Sequence, residues 1–544
     1  MPDATHILEV ENLTVAFEQG RERREVVSGV SFSLQRGRTL GIVGESGSGK
    51  SVSSLSVMGL LPPTAKIVSG HAWFRPNAGD KPADLLTLDD KQMQTLRGRR
   101  IAMIFQEPMT SLNPVKRCGH QVMEMLERHT NTSRAEARSL ALQLFEEVRL
   151  PRPEKIFSSY PHEISGGQKQ RVMIAMALIC KPDIIIADEP TTALDVTVQQ
   201  SILNLLRSLQ QKYGMAILFI SHDLGVVAQV ADDVVVMQRG KLVEQGPASQ
   251  ILRAPNHPYT KHLLACRPET FEPFRTEIDE AADSALLVVR NLKVDYPLRK
   301  NLLGRPTELL HAVDGVTFDV RRGETLGIVG ESGCGKSTLG RAILRLVDSR
   351  SDQLTFCGKN LATISASDMR RLRQKLQIVF QDPYSSLNPR IKVGDAIAEP
   401  LLTHTKCSSS EARLEVEEIL QRVGLEPTMA DRYPHQLSGG QRQRVCIARA
   451  LIVKPELVIC DESVSALDVS VQAQVLQLLC DLKQQYGYTY MFISHNLAVV
   501  NFMADRLLVM RQGHVEEYGP TDSIFANPQS DYTRQLLEAV PKIS

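Results

Sequence analysis

Apolar and polar residues alternate along two matching stretches of the chain, ILEVENLTVAF from Ile7 and LLVVRNLKVDY from Leu286. A period of two residues is typical of a strand with one buried face. Other stretches are continuously apolar, among them IIIA before Asp188, ILFI before His222 and YMFI before His495. Such runs, separated by helical patterns, predict parallel strands buried on both faces of a sheet. We therefore expect an α/β fold with a mostly parallel sheet.

The pattern occurs twice. TLGIVGESGSGKS from Thr39 returns as TLGIVGESGCGKS from Thr325, and SGGQ, DE and SH follow in the same order in both halves. Lys336 follows Lys50 by 286 positions, whereas His495 follows His222 by only 273. The second copy is therefore shorter, and we expect the insert HAWFRPNAGDKPAD of the first copy to be a surface loop.

The duplication predicts a domain organisation. We expect a first domain at residues 5–266 and a second at 285–541. The residues between them, 267–284, have six acidic residues, two prolines and little apolar periodicity, which is typical of a tether.

The composition of the chain mainly argues against certain partners and bound groups. The formal net charge of the 544 residues is +1, so no nucleic-acid partner is expected. The nine cysteines lack C-x-x-C spacing, which argues against a zinc or iron–sulfur site and favours a reducing cytosol. Because no apolar run approaches the roughly 18 residues of a spanning helix, we expect a soluble chain whose membrane partners, if any, supply the span.

Each copy has a glycine-rich loop between an apolar strand and a helix, which fits G-x-x-x-x-G-K-[ST]. Its main-chain N–H groups can converge on phosphate oxygens, its lysine can reach the β- and γ-phosphates, and its serine can bind Mg²⁺. The residues of this predicted phosphate site are Gly44, Glu45, Ser46, Gly47, Ser48, Gly49, Lys50, Ser51 and Val52, and Gly330, Glu331, Ser332, Gly333, Cys334, Gly335, Lys336, Ser337 and Thr338.

Acidic pairs follow a buried strand in both copies. Asp188 should face the Mg²⁺ bound by Ser51, and Glu189 could orient and polarise an attacking water. Asp461 and Glu462 repeat the pair. A solvated acidic pair is the alternative interpretation, but the preceding run is too apolar for it.

Two further residue types are duplicated at matched positions. His222 and His495 follow buried strands and could each donate a hydrogen bond to a γ-phosphate, although a lone histidine is more often structural. Phe17 and Tyr296 end the alternating strands and could stack on an adenine ring. For these aromatic residues a place in the core is the other interpretation.

The order of these motifs resembles the nucleotide-binding domain of ABC ATPases, and it appears twice. The resemblance implies two tandem domains, each with a parallel core, an antiparallel β subdomain and a helical subdomain, and ATP and Mg²⁺ as cofactors. It implies signature motifs at Ser165, Gly166, Gly167 and Gln168, and at Ser438, Gly439, Gly440 and Gln441. It also implies Q-loop residues at Gln106 and Gln381, D-loop aspartates at Asp195 and Asp468, catalytic glutamates at Glu189 and Glu462, and switch histidines at His222 and His495. The implied Mg²⁺ ligands are Ser51, Gln106, Asp188, Ser337, Gln381 and Asp461.

In this family two domains pair head to tail, so the resemblance implies two composite ATP sites. Lys50 and Glu189 would pair with the signature from Ser438, and Lys336 and Glu462 with the signature from Ser165. Both sites keep every charged group of the chemistry, so both should hydrolyse ATP. Ile164 before the first signature, and Ser463 and Asn496 in the second copy, depart from the family pattern and allow the sites to differ in rate.

The extensions FQEPMTSLNP and FQDPYSSLNP, and the tails around HPYT and SDYT, resemble the dipeptide, oligopeptide and nickel importer subfamily. This implies a peripheral ATPase on the cytoplasmic face of a bacterial inner membrane, with two permease subunits and a periplasmic binding protein. The solute stays open among peptide, glutathione, nickel chelate and opine. The alternative is a soluble twin ABC ATPase acting on ribosomes or DNA, although the predicted tether is short and acidic and no zinc module is present.

Overall fold

The computed structural model describes residues 5–19, 22–77, 79–106, 111–192, 194–276, 285–300, 306–465 and 467–540. The chain forms two compact units, one made of most residues up to Ala265 and the other of most residues from Cys266 onward. Each unit holds one copy of the repeated motifs, which confirms the predicted duplication and the α/β fold class.

The first unit has two sheets. Its strands are β1 (His6–Gln19), β2 (Glu22–Gln35), β3 (Thr39–Val43), β4 (Ala65–Phe74), β5 (Ala83–Asp84), β6 (Ile101–Ile104), β7 (Ile184–Asp188), β8 (Ala216–Ser221), β9 (Asp233–Gln238) and β10 (Lys241–Pro247). The smaller sheet has the order β2-β1-β4-β5, and the larger has the order β10-β9-β3-β8-β7-β6. Strands β9, β3, β8, β7 and β6 run parallel, and β10 pairs antiparallel with β9.

Helices cover the larger sheet and form a separate helical layer. The helices of this unit are Lys50–Val57, Asp90–Leu96, Cys118–His129, Arg134–Glu147, Pro153–Ser158, Gly166–Leu178, Val196–Tyr213, Leu224–Val230, Ala248–Arg253 and Pro258–Ala265. The 3-10 turns are Leu85–Thr87, Pro161–Glu163 and Pro268–Thr270, the last of these at the start of the second unit. Helices Cys118–His129 and Arg134–Glu147 pack on the helix that the signature opens, Gly166–Leu178.

The second unit repeats this plan. Its strands are β11 (Leu287–Lys300), β12 (Pro306–Val320), β13 (Thr325–Val329), β14 (Gln353–Phe356), β15 (Lys359–Asn360), β16 (Leu376–Val379), β17 (Leu457–Asp461), β18 (Thr489–Ile493), β19 (Arg506–Arg511) and β20 (His514–Pro520). The sheet orders are β12-β11-β14-β15 and β16-β17-β18-β13-β19-β20. These match the first unit strand for strand.

Most helices of the second unit have a counterpart in the first, although the 3-10 turn Pro427–Asp431 stands where the first unit has the helix Pro153–Ser158. The helices of the second unit are Lys336–Ile343, Ala366–Leu372, Pro383–Ser386, Val393–His404, Ser409–Arg422, Gly439–Leu451, Val469–Tyr486, Leu497–Met503, Thr521–Ala526 and Asp531–Glu538, with 3-10 turns at Pro427–Asp431 and Pro434–Gln436. Within the described ranges, no helix combines the length and the apolar character needed to cross a membrane.

The sheet order brings the predicted chemistry to one edge. Strand β3 lies between β8 and β9, and β7 lies beside β8. All residues of β3, β7 and β8 are buried, as their apolar runs predict. Because the carboxyl ends of parallel strands meet at one edge, the phosphate loop, the acidic pair and His222 follow three neighbouring strands there.

The insert of the first copy is not a surface loop throughout. Residues His71–Phe74 continue β4, and Ala83–Asp84 form β5 beside it. Ala72 and Phe74 are buried, while the exposed ring of His71 stacks on Trp73. The loop prediction is therefore wrong for the ends of the insert. It rested on Gly, Pro and Asp at the centre and did not consider that buried and exposed positions alternate over the first four residues.

The first part of the predicted linker packs on the second unit. The Phe274 main-chain N–H donates to the Phe502 carbonyl at 2.8 Å, and the Phe271 and Phe502 rings meet edge to face. The Arg275 guanidinium binds the Asp522 carboxylate at 2.6 Å. Residues 277–284 lie outside the described residues, so the tether stays a prediction for them.

We expect Phe274→Ala to destabilise the second unit, because this ring packs against the main hydrophobic core of that unit. Loss of a partly buried phenylalanine ring costs about 2 kcal/mol, which corresponds to a melting temperature lower by roughly 4–8 °C. Calorimetry of the full chain measures the shift. Leu414→Ala is the control, because Leu414 is 66% exposed and its truncation should leave the melting temperature unchanged. Equal stability of both variants would contradict the packing described here.

Candidate functional site

The glycine-rich loop of each unit folds as the motif predicts. Residues Gly44–Gly49 connect β3 to the helix Lys50–Val57, whose first turn contains Ser51 and Val52. Gly44 has a φ of 154°, and a Cβ on it would lie 2.2 Å from the Met237 carbonyl oxygen. Gly330 has the same geometry against the Met510 carbonyl. These positions therefore require glycine, because any side chain would push the loop away from the sheet.

The loop lysine is buried and held by its own loop. Lys50 Nζ donates to the Gly44 carbonyl at 2.6 Å and to the Glu45 carbonyl at 2.8 Å. Lys336 makes the matching bonds at 2.7 and 2.8 Å. Each ammonium group is thus aimed along the concave side of its loop, where a polyphosphate would be bound.

Serine and aspartate meet at the base of the loop in both units. Ser51 Oγ donates to Asp188 Oδ1 at 3.0 Å, and Ser337 Oγ donates to Asp461 Oδ1 at 2.7 Å. Burial raises the pKa of Asp188 to about 6, although the Ser51 hydrogen bond acts to lower it. A hydroxyl and a carboxylate are hard oxygen ligands that fit Mg²⁺, which fills its remaining positions with phosphate oxygens and water.

Glu189 follows directly in an uncommon backbone conformation. Its φ is 46°, and that of Glu462 is 47°. Left-handed backbone at a non-glycine residue stores strain and is concentrated at functional sites. The conformation turns each glutamate away from its strand and toward the Q-loop glutamine and the switch histidine.

Three side chains hold the Glu189 carboxylate. Gln106 Nε2 donates to Oε2 at 2.9 Å, Thr192 Oγ1 donates to the same oxygen at 2.9 Å, and His222 Nδ1 lies 3.1 Å from Oε1. Burial acts to raise the pKa of Glu189, but His222, Thr192 and Lys50 outweigh it and the net pKa lies below the usual value. The carboxylate is therefore kept ionised, which the predicted role of orienting water requires.

The Glu462 carboxylate is held by fewer groups. Gln381 Nε2 donates to Oε2 at 2.8 Å, and His495 Nδ1 lies 3.3 Å from that same oxygen. The hydroxyl of Ser465, at the position of Thr192, donates instead to the main-chain carbonyl of Glu462 at 2.9 Å. The two units thus share one arrangement but differ in how firmly they fix the glutamate.

The signature serines begin their helices as predicted. Ser165 accepts a hydrogen bond from the Gln168 main-chain N–H, and the Gln168 side chain bonds back to the Ser165 N–H, which forms a capping box. Ser438 and Gln441 repeat it. The glycines after each serine belong to the first helical turn; a Cβ on Gly167 would lie 2.8 Å from Val198.

Neither of the two predicted adenine-stacking residues is fully buried. Phe17 is half-buried on β1, and Tyr296 is 38% exposed on β11. Their role stays a prediction. Cys334 in the second phosphate loop is buried, and burial raises the pKa of its thiol, so it has the character of a core residue rather than of a reactive thiol.

The structure also places two groups at the site that the sequence analysis did not single out. One is the Thr192 hydroxyl; the other is a tyrosine hydroxyl from each C-terminal tail, Tyr259 and Tyr532, bonded to the phosphate loop of its own unit. The matched position of the tyrosine in HPYT and SDYT was the available signal.

Comparisons with known proteins agree with this geometry. The family described as "ABC transporter" matches residues 27–192 and 313–465. The family described as "Oligopeptide/dipeptide transporter, C-terminal region" matches residues 243–288 and 516–544. The two tails thus have a family description of their own.

Curated relatives match over nearly the whole chain. The glutathione import ATP-binding protein GsiA of Pectobacterium atrosepticum is 49% identical, over 98% of this chain and 89% of its own length. The GsiA protein of Escherichia coli K12 is 48% identical, over 99% of this chain and 90% of its own length. Among solved structures, cbiO1 from Clostridium perfringens, part of the ABC transporter complex cbiONQ, is 29% identical and covers 45% of this chain and 92% of its own, with a TM-score of 0.40.

Both units thus have a phosphate loop, a serine–aspartate pair, a hydrogen-bonded glutamate and a histidine beside it. This geometry coincides with two family matches and with relatives that match over nearly the whole chain. The chain belongs to the ABC transporter family, as an ATP-hydrolysing protein with two ATP-binding cassettes in one polypeptide.

Proposed function

We propose that this chain is the ATPase subunit of a bacterial inner-membrane importer for glutathione or a related small peptide. The single observation that carries the catalytic part is the glutamate held between the Q-loop glutamine and the switch histidine in both units. The solute class is supported by the names of the relatives, which are glutathione import proteins, and by the oligopeptide/dipeptide match of both tails.

In the proposed mechanism Glu189 and Glu462 orient water for attack on the γ-phosphoryl group and take up its proton. Lys50 and Lys336 neutralise phosphate charge, and His222 and His495 fix the glutamates and can donate to the γ-phosphate. Ser51 and Asp188, and their counterparts Ser337 and Asp461, would hold Mg²⁺, which would supply further neutralisation of the phosphate charge. Gln106 and Gln381, the other predicted Mg²⁺ ligands, are bonded to the glutamates in this structure, so their place in the metal site stays a prediction.

The head-to-tail pairing of the cassettes stays a prediction from the resemblance. So do the signature contacts to ATP, two permease subunits as partners and a periplasmic binding protein that acts through the permeases. A peripheral place on the cytoplasmic face of the membrane follows from the importer function.

A groove on the second unit supports a permease partner. It has a volume of about 320 Å³, and its lining includes Leu344, Leu346, Phe380, Glu399 and His404. Leu346 in its lining is 48% exposed. Phe380 directly precedes Gln381, so a helix bound in the groove would press on the residue that holds Glu462.

Co-purification tests the partner assignment. The tagged chain is isolated from gently solubilised membranes of its source cell, and co-purifying proteins are identified by mass spectrometry. Two multi-spanning permeases support the proposal. Ribosomal or DNA-repair proteins without permeases would instead favour the soluble twin ATPase, which the import relatives do not support.

The Thr192 hydroxyl makes the two sites unequal, and we expect Thr192→Val to lower kcat at least twofold with KM for ATP unchanged. Its hydrogen bond to Oε2 fixes the Glu189 carboxylate, so its loss should affect turnover rather than ATP binding. Steady-state ATP hydrolysis by the permease complex measures both constants. Thr192→Ser should restore the rate, and Ser465→Ala, whose hydroxyl does not reach its glutamate carboxylate, is the matched control. A rate loss in Ser465→Ala equal to that in Thr192→Val would show that the asymmetry is wrong.

A further inference from the structure

Both C-terminal tails reach the phosphate loop of their own unit through a tyrosine hydroxyl. Tyr259 Oη accepts a hydrogen bond from the Glu45 main-chain N–H at 3.2 Å. Tyr532 Oη accepts one from the Glu331 main-chain N–H, also at 3.2 Å. Glu45 and Glu331 are equivalent residues, directly after the first glycine of each loop, so the contact occurs twice in one chain.

Each tail fixes its tyrosine with a separate set of hydrogen bonds. The Tyr259 main-chain N–H donates to His257 Nδ1, and the Tyr532 N–H donates to Ser530 Oγ, both at 3.2 Å. The Glu244 carboxylate accepts hydrogen bonds from the main-chain N–H groups of Asn256 and His257. The Glu517 carboxylate accepts the matching bonds from Gln529 and Ser530. The glutamate is common to both tails, whereas His257 and Ser530 differ, and the tyrosine hydroxyl has the same placement in both.

Packing leaves the tyrosine rings little freedom. Tyr259 is 7% exposed and Tyr532 is 5% exposed. Each ring belongs to the large hydrophobic core of its unit, together with Leu263 or Leu536 from the same tail helix. In the second unit the Arg511 guanidinium also lies 4.8 Å from the centre of the Tyr532 ring.

The hydroxyl completes the restraint on one residue of the loop. The Glu45 carbonyl oxygen accepts from Lys50 Nζ, and the Glu45 N–H donates to Tyr259. Glu331 is held in the same way by Lys336 and Tyr532. With both ends of this residue bonded, the first turn of the loop keeps the curvature that lets its later N–H groups converge on phosphate.

We propose that Tyr259 and Tyr532 are positioning residues that hold the phosphate loops in the nucleotide-binding conformation, so that each C-terminal tail is part of an ATP site. The inference rests on the proposed function of the phosphate loops. It gives the tails a role in ATP binding.

Removal of the two hydroxyls tests the inference. Tyr259→Phe/Tyr532→Phe is made in the full chain, and its affinity for a fluorescent ATP analogue with Mg²⁺ is measured by titration. We expect affinity to fall about twofold to tenfold, the range for loss of one neutral hydrogen bond at each site. In the permease complex KM for ATP should rise by a similar factor while kcat changes less than about twofold, because the glutamates are not affected.

Tyr490→Phe is the matched control. Tyr490 is fully buried, and its hydroxyl donates to the Leu479 carbonyl at 3.3 Å, away from the loop. This variant should lose some thermal stability and keep the ATP affinity of the unmodified chain. The inference is overturned if the double variant binds the analogue as tightly as the unmodified chain, or if Tyr490→Phe weakens binding equally.

Binding of the analogue by the unmodified chain and by a lysine variant distinguishes failure of this inference from failure of the proposed function. If the unmodified chain does not bind the analogue, the ATP site itself is wrong. If the unmodified chain binds it, Lys50→Ala/Lys336→Ala binds it at least about tenfold more weakly, and the tyrosine variant is unchanged, only the proposed role of the tails is wrong.

Discussion

Glu189→Gln/Glu462→Gln should bind ATP with unchanged affinity and hydrolyse it about 10²- to 10⁴-fold more slowly than the unmodified chain. The side chains keep their size, and both can still accept hydrogen bonds from Gln106 and Gln381 through the amide oxygen. The charge that attracts the proton of the attacking water is lost. Phosphate release measures turnover, and titration with a fluorescent ATP analogue measures binding.

The single variants refine this expectation. Because the Glu189 carboxylate is bonded at both oxygens and the Glu462 carboxylate at Oε2, we expect Glu189→Gln to remove more of the activity than Glu462→Gln. Rapid turnover in the double variant would refute the assignment of these residues as the groups that orient water.

Lys50→Ala/Lys336→Ala should weaken ATP binding by roughly 10- to 100-fold, the range for lost hydrogen bonds to a charged group. Both ammonium groups are buried and already aimed into the loop by carbonyl oxygens of the first loop residues. Binding is again measured by titration, with a thermal melt to confirm that the chain is folded.

A surface lysine provides the control for this pair. Lys66 is exposed and bonded only to Glu18 at 2.7 Å among the ion pairs of the described residues, so Lys66→Ala should leave ATP affinity unchanged. Unchanged affinity in the double phosphate-loop variant would contradict the interpretation of these loops as nucleotide sites.

Local patterns were sufficient for much of this fold and site. The apolar run before Asp188 predicts a strand buried on both faces, and β7 is one. The glycine loop before Lys50 and the serine before each signature helix are local motifs. The loop connects a strand to a helix, and each serine caps its helix, as expected.

Contacts between residues distant along the chain were not predictable in the same way. Tyr259 lies 214 positions after Glu45, and nothing in the periodicity of the tail shows that its hydroxyl meets the loop. The Thr192 and Ser465 hydroxyls both lie three positions after a glutamate, yet Thr192 bonds the carboxylate and Ser465 the main-chain carbonyl, a difference that the motif does not show.

The contacts of the predicted linker were likewise not predictable from the sequence pattern. Its acidic composition is typical of a tether, yet Phe271 and Phe274 bind the second unit through a surface that only the folded chain presents. Two aromatic residues in an otherwise polar segment were the signal for this contact.

ATP-driven uptake tests the central claim most directly. The chain is reconstituted with its permeases and binding protein in proteoliposomes, with ATP on the side of the chain and radiolabelled glutathione on the other. We predict accumulation of glutathione or of a competing small peptide that requires ATP and is abolished by Glu189→Gln/Glu462→Gln. Uptake at the same rate without ATP, or undiminished in that variant, would contradict the account.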